Sequence, residues 1–178
     1  YQVEPFTLGQ VKLLPSEFTH ARDLNAAYLL QLDPDRLMAR TREMCGLKPK
    51  KEAYGGWELK ASELGHYLSA CALQYAATGD QRFKQRVDTI VADMAEAQQA
   101  AGGGFVGCMP RDIFERMSRG EFVVAKGLGN VPWYWLHKEY AGLIDAYELA
   151  GNQQALKVLV KFADWADGIL APMSDEQV

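Results

Sequence analysis

The chain has 178 residues, about the size of one domain, and its 48% hydrophobic and 24% charged residues are typical of a soluble globular protein. The net charge is −4 and no basic run occurs, which argues against nucleic acid as a partner. No apolar run approaches the roughly 20 residues of a membrane-spanning helix, so no membrane partner is predicted. The cysteines Cys45, Cys71 and Cys108 are widely spaced, which argues against a disulfide framework or a zinc site built from them alone.

The N-terminal third is predicted to form two helices. Ser16 is a suitable N-cap for the first, and its expected core positions have helical spacing. The second begins at Asp33 and Pro34 and ends at Gly46, because proline suits the first helical position and glycine the residue after the last. The core positions of the first helix are Phe18, Ala21, Leu24, Ala27 or Tyr28, and Leu32.

Two helical hairpins follow, separated by a glycine-rich segment that runs from Gly102 to Asn130. A long connection of this kind is uncommon in compact domains unless it binds something. A short helix is expected within it, in the sequence "RDIFERMSRG" before Gly120. The hairpin helices are predicted at about residues 62–78, 81–98, 133–150 and 153–170, with Gly79-Asp80 and Gly151-Asn152 as the two turns.

The two hairpins form an internal repeat. The segment that begins at Gly65 aligns with the segment that begins at His137, at a constant offset of 72 residues. In each copy the first helix is apolar nearly all round, whereas the second has a polar face, which in the first copy includes Arg86, Asp93 and Glu96. A repeated pair of inner and outer helices predicts an all-α solenoid or a toroid of helical hairpins.

Polar and aromatic residues are concentrated where each inner helix begins. In a toroid these ends converge on one opening, where aromatic rings stack on sugars and polar groups bond hydroxyls. We therefore select His137, His66, Trp57 and Glu58 as candidate substrate-binding residues. The group at the first inner helix consists of Tyr54, Gly55, Gly56, Trp57, Glu58, His66 and Tyr67. The group at the second consists of Asn130, Pro132, Trp133, Tyr134, Trp135, His137, Lys138 and Glu139.

Structural roles remain open for the same residues. A tryptophan at a helix start is most often a core residue, and a lone histidine on a helix is usually structural. Glu58 also suits the positive end of a helix dipole. Glu58 and Glu139 could be proposed as the paired carboxylates of glycoside hydrolysis, but the sequence does not fix their separation.

Three segments, taken together and in this order, resemble the N-terminal part of the β-L-arabinofuranosidase family, glycoside hydrolase families 127 and 146. The first runs from Val11 to "YGGWE" at residues 54–58, and the others are "LGHYLSACALQYAATGD" at 64–80 and "WYWLHKEYAGLIDAYELAGNQQAL" at 133–156. The resemblance implies an (α/α)6 toroid that hydrolyses β-L-arabinofuranosides of plant glycans with retention. It also places His137 at the position of a substrate-contacting histidine in the family.

The family's nucleophile is a zinc-bound cysteine, held in a cysteine-rich cluster with a glutamate, and a second glutamate is the acid/base. These residues lie in the later part of its catalytic domain, and the present sequence has no adjacent cysteine pair. We therefore expect residues 1–178 to be one all-α domain, the N-terminal fragment of a larger toroid. This fragment is expected to contain no catalytic or metal-binding residue, to hold no cofactor and to be inactive alone.

A carbohydrate is the expected partner. The alternative is a non-catalytic helical-repeat module that binds a carbohydrate or a protein. It would be favoured if the aromatic residues were buried in separate cores and charges lined a groove. An incomplete ring would also expose an apolar flank, which predicts a homodimer. The chain starts without methionine, and a secreted or periplasmic location is slightly favoured over a cytoplasmic one.

Overall fold

The computed structural model describes residues 3–55, 63–121 and 131–174, and it is helical without a strand over these ranges. The all-α prediction is therefore confirmed for them. No helix in the described ranges is long and apolar enough to cross a membrane. After a 3₁₀ turn at Leu8–Gln10, the helices are α1 (Glu17–Gln31), α2 (Pro34–Leu37), α3 (Ala39–Met44), α4 (Glu63–Thr78), α5 (Gln81–Ala101), α6 (Arg111–Met117), α7 (Pro132–Glu148) and α8 (Gln153–Leu170).

The two predicted hairpins are α4–α5 and α7–α8. Gly79 follows α4 and Gly151 lies between α7 and α8, with φ values of 72° and 66°. Glycine adopts this left-handed conformation at little cost, which allows the chain to turn after each inner helix. Asp80 and Asn152 then cap α5 and α8 through their side-chain oxygens. Turns this short make the two helices of each hairpin antiparallel. The hairpin packing is consistent with a toroid-type fold.

The outer helices α5 and α8 run in the same direction. Asn152 at the start of α8 donates to Asp88 Oδ1 at 2.7 Å, and Gln98 near the end of α5 donates to the Val158 carbonyl at 2.9 Å. Residues later in α5 therefore contact residues later in α8, as expected for parallel helices. Because each inner helix is antiparallel to its outer helix, α4 and α7 are also parallel to each other.

Glycine allows α4 and α7 to approach closely. A Cβ on Gly65 would lie 2.2 Å from the Lys138 carbonyl oxygen, and one on Gly142 would lie 2.6 Å from the Gly65 carbonyl oxygen. Both distances are shorter than any real contact, so the helix backbones touch where a side chain would separate them. This contact fixes the relative height of the two inner helices.

The N-terminal region is held to α5 by charged side chains. Arg42 on α3 forms an ion pair with Asp93, and it also donates to Glu96 at 2.8 Å. Arg86 donates to the carbonyl oxygens of Leu32 and Leu30 at 2.5 and 3.0 Å. The polar face predicted for α5 therefore includes two residues, Arg86 and Asp93, whose side chains bind this N-terminal region.

The predictions for α1 and for the following helix need correction. Phe18, Leu24 and Tyr28, the expected core positions of α1, are exposed, and the one buried residue of α1 is Leu29. Regular spacing predicted the helix but not which side would pack. The helix predicted from Pro34 is divided into α2 and α3 at Met38. The apolar flank of an incomplete ring and the homodimer both stay predictions.

An aromatic cluster fills the space between α6, α7 and α8. The Trp133 ring lies 4.8 Å from Phe114 and 5.9 Å from Trp165 between ring centroids. Phe105, in the glycine-rich connection, lies 4.8 Å from Trp165. Trp133 therefore packs into the core with the outer helix, as the structural reading of a helix-start tryptophan predicted.

Candidate functional site

His66 and His137 project to the same side of the α4–α7 pair. Gly65 touches Lys138, and each histidine is one residue from this contact, His66 after it on α4 and His137 before it on α7. One residue turns a helix by about 100°, so opposite steps along two parallel helices rotate both side chains toward one face. Both histidines are exposed. The structure thus places two of the four predicted site residues on the same side of the α4–α7 pair.

The tautomer of the His137 ring is assigned from its contact with the preceding turn of α7. Its Nδ1 lies against the backbone carbonyl oxygen of Tyr134, one turn earlier on α7. A carbonyl oxygen only accepts hydrogen bonds, so Nδ1 carries the proton of the neutral ring and Nε2 is left as an acceptor. Nε2 can therefore accept a hydrogen bond from a ligand hydroxyl.

Tyr134 extends the exposed face. Its side chain is 56% exposed, and its ring centroid lies 4.9 Å from that of His137. It is the one aromatic residue of the sequence "PWYW" that points to solvent, since Trp133 packs in the aromatic cluster and Trp135 is buried. An exposed ring beside an imidazole provides an apolar surface for the face of a sugar ring.

Lys138 and Glu63 form the polar floor beside the histidines. The Lys138 ammonium lies 3.9 Å from Glu63 Oε1 and 5.0 Å from the centre of the Tyr134 ring. Lys138 is largely buried, so its charge is held close to the two helices and does not extend into solvent. Glu63 is one turn before His66, a spacing that places both side chains on one side of α4. This spacing was the available sequence signal for Glu63, which our selection missed together with Tyr134 and Lys138.

The remaining candidates have different outcomes. Trp57 and Glu58 lie outside the described residues, so their predicted role stays a prediction. Glu139 is fully buried on the opposite side of α7 from the exposed histidine face. It therefore cannot serve as a solvent-accessible carboxylate of a hydrolytic pair in this arrangement.

Burial makes Glu139 a neutral acid near neutral pH. Its removal from water raises its pKa to about 8, an effect that the approaching thiol and amide of Cys108 partly offset. Both carboxyl oxygens of Glu139 are buried without a hydrogen-bond partner among the described residues. A Cβ on Gly107 would lie 3.3 Å from Glu139 Oε2, so glycine makes room for the carboxyl here.

A comparison with known protein families matches residues 10–178 to "Beta-L-arabinofuranosidase, GH127 catalytic domain". The match covers nearly the whole chain. The chain belongs to this family. The predicted resemblance to β-L-arabinofuranosidases is thereby confirmed, and a role in glycoside hydrolysis is supported. No curated protein matches the chain.

The described part of this GH127 chain does not fit the zinc–cysteine centre that the resemblance implies. Burial raises the pKa of Cys45 and of Cys71 to about 11, and that of Cys108 well above its ordinary value. Thiols of this kind stay protonated, whereas a zinc ligand or a nucleophile must be a thiolate. No group of three His, Cys, Asp or Glu residues that could hold a metal ion occurs among the described residues.

Proposed function

We propose that residues 1–178 form the N-terminal part of a GH127 toroid and contribute part of its cleft for L-arabinofuranosides of plant glycans. His66 and His137 bind sugar hydroxyls, the Tyr134 ring contacts the sugar face, and Trp57 and Glu58 add contacts from the segment before α4. The observation that carries this proposal is the close approach of α4 and α7 at Gly65, which leaves His66 and His137 exposed on the same side of the helix pair.

The chemistry of this face suits a neutral sugar. His137 Nε2 accepts a hydrogen bond, whereas the Lys138 ammonium and the Glu63 carboxylate offer a donor and an acceptor within 3.9 Å of each other. A pentose presents alternating hydroxyl groups that use both kinds of partner. The paired charges also make this face less attractive to an ion than an unpaired lysine or glutamate would be.

Binding of methyl β-L-arabinofuranoside to the chain, followed by ¹H–¹⁵N NMR, tests the sugar-binding proposal. We expect weak saturable binding that shifts amide signals near the starts of α4 and α7. One lost hydrogen bond costs about 0.5–1.5 kcal/mol, so His66→Ala and His137→Ala should each weaken binding roughly 2- to 10-fold.

His20→Ala is the matched control, because His20 is an exposed histidine on α1 that does not border the α4–α7 face. Unchanged affinity in this variant together with losses in the other two supports the proposal. Equal affinity in all three variants, or shifts confined to other helices, would contradict it and favour the alternative of a non-catalytic module with a different surface.

We further propose that the chain alone does not hydrolyse arabinofuranosides. Its three cysteines are separated in sequence and buried, so no thiolate is available to attack an anomeric carbon. An assay with p-nitrophenyl β-L-arabinofuranoside should give no release of nitrophenol above the buffer rate. Release that His137→Ala abolishes would overturn the proposal of inactivity while supporting the histidine site.

A further inference from the structure

A cavity of about 630 Å³ lies between the end of α5 and the first half of α8. It opens on the outer helices, whereas the histidine face belongs to the inner helices. Its lining includes amides, glycine backbone and two ammonium groups, from residues Gln98, Gly103, Gly104, Gln154, Lys157 and Lys161.

The wall of this cavity is held in place by a buried side chain. Gln98 is 5% exposed, and its Nε2 donates to the carbonyl oxygens of Gly104 and Val158 at 2.8 and 2.9 Å. It thereby ties the end of α5, the following turn and α8 together. A Cβ on Gly104 would lie 2.2 Å from the Lys161 carbonyl oxygen, so only glycine lets this turn lie against α8.

The charges around the cavity are uncompensated. Lys157 and Lys161 are one turn apart on the same side of α8, and no carboxylate is among the lining residues. Within the described ranges neither lysine forms an ion pair, in contrast to Lys84 on α5, which pairs with Asp88. The first turn of α8 also has no acidic side chain. The chain as a whole has a net charge of −4, so this is a local positive site on an acidic protein.

The turn after α5 offers backbone donors beside these lysines. Gly102, Gly103 and Gly104 have φ values of 68°, 61° and 86°. The N–H groups of Gly103 and Gly104 have no acceptor among the described residues, whereas that of Gly102 bonds the Gln98 carbonyl oxygen at 3.1 Å. Successive amides in such turns form concave sites that favour anions.

From these observations we propose that the cavity between α5 and α8 binds an oxyanion group, either free or carried on a sugar acid. Lys157 and Lys161 neutralise its charge, while the Gly103 and Gly104 amides and the Gln154 side chain donate hydrogen bonds. The buried Gln98 keeps the two walls at a fixed separation. This site is independent of the sugar-binding proposal, because it uses the outer helices and a charged ligand.

The test is an NMR titration of the ¹⁵N-labelled chain with inorganic phosphate, D-glucuronate and, as the uncharged comparison, D-glucose at constant low ionic strength. We expect saturable shifts of the Gly103 and Gly104 amides with phosphate and none with glucose. Glucuronate binding that is as tight as phosphate binding, or tighter, identifies a sugar acid as the source of the oxyanion. Phosphate binding without glucuronate binding identifies a free oxyanion. Added NaCl should weaken binding, because the lysines are exposed.

Substitutions separate this site from general surface charge. Lys157→Ala and Lys161→Ala should each weaken phosphate binding roughly 3- to 10-fold, and the double variant should abolish saturation. Gln154→Glu adds a negative charge to the wall of the cavity, so it should also weaken phosphate binding although both lysines remain. Lys12→Ala removes an exposed charge from the N-terminal segment and should have no effect. No saturable shift with either anion, or binding that persists in the double variant, would overturn the proposal.

Discussion

Two sides of one helix differ sharply at the start of α7. His137 is exposed and faces the side shared with His66, whereas Glu139, two residues later, is fully buried beside Gly107 and Cys108. Two residues rotate a helix by about 200°, so they lie on opposite sides. The same helix thus exposes one polar side chain to solvent and inserts another into the core. Residue type alone does not distinguish these two environments.

The buried carboxyl group of Glu139 should make the folded protein less stable as pH rises. The pKa of Glu139 is raised by burial to about 8 in the folded chain, above the ordinary value of 4.5 that applies to the unfolded chain. Between these values the folded state holds a proton that the unfolded state has lost. The free energy of unfolding should therefore fall by roughly 1 kcal/mol per pH unit from about pH 5 to pH 8, and then level off.

Urea denaturation of the chain and of Glu139→Gln at pH 5, 6.5 and 8 measures this effect. The glutamine variant cannot ionise, so its stability should change little over this window. Glu148→Gln, an exposed change on the same helix, should retain the pH dependence of the parent chain. Parallel pH profiles for the parent and Glu139→Gln would show that Glu139 does not carry the buried proton.

One added methyl group at Gly65 should disrupt the close contact between α4 and α7, which determines which side chains of α7 face solvent. A Cβ on Gly65 would overlap the Lys138 backbone, so Gly65→Ala must push α4 and α7 apart or tilt them. We expect a loss of about 1–3 kcal/mol in the free energy of unfolding. Gly168→Ala is the control within a helix, because no atom lies within 4 Å of its Cβ position, and it should stabilise by about 0.4–1 kcal/mol.

Thermal unfolding compares these two alanine variants directly. Opposite shifts of Tm are expected, downward for Gly65→Ala and upward for Gly168→Ala. If Gly65→Ala unfolds at the temperature of the parent chain, the helices are not held at the close approach described above. The geometric argument that brings His66 and His137 together would then lose its basis.

Sequence patterns predicted the hairpins well because their signals are local. Gly79-Asp80 and Gly151-Asn152 end one helix and cap the next through the conformation of glycine and the side-chain oxygen of the cap. The final helix begins at Gln153 and ends at Leu170, as predicted. These features depend on neighbouring residues alone, so a single sequence contains enough information for them.

Features that depend on distant contacts were predicted less well. The orientation of α1 failed because its helical spacing does not identify what it packs against, and Leu29 is its one buried residue. Asp93 was assigned to the polar face of α5, and the local pattern did not indicate that Arg42, 51 residues away in sequence, binds it. His66 and His137 were expected to converge because both inner helices begin near them, but the sequence did not indicate the Gly65 contact that sets their common side. That contact joins residues whose sequence spacing does not predict their pairing.

Substitution of the exposed histidines His66 and His137 should affect the free energy of unfolding less than substitution of the buried residues does. His66 and His137 lie at the surface, and the His137 contact with Tyr134 is local to one turn of α7. We expect His66→Ala and His137→Ala to change the free energy of unfolding by no more than about 0.5 kcal/mol, as for most surface changes. Urea denaturation at pH 8 measures this. A loss above about 1.5 kcal/mol in either variant would assign that histidine to packing, and its weakened sugar binding would then no longer indicate ligand contact.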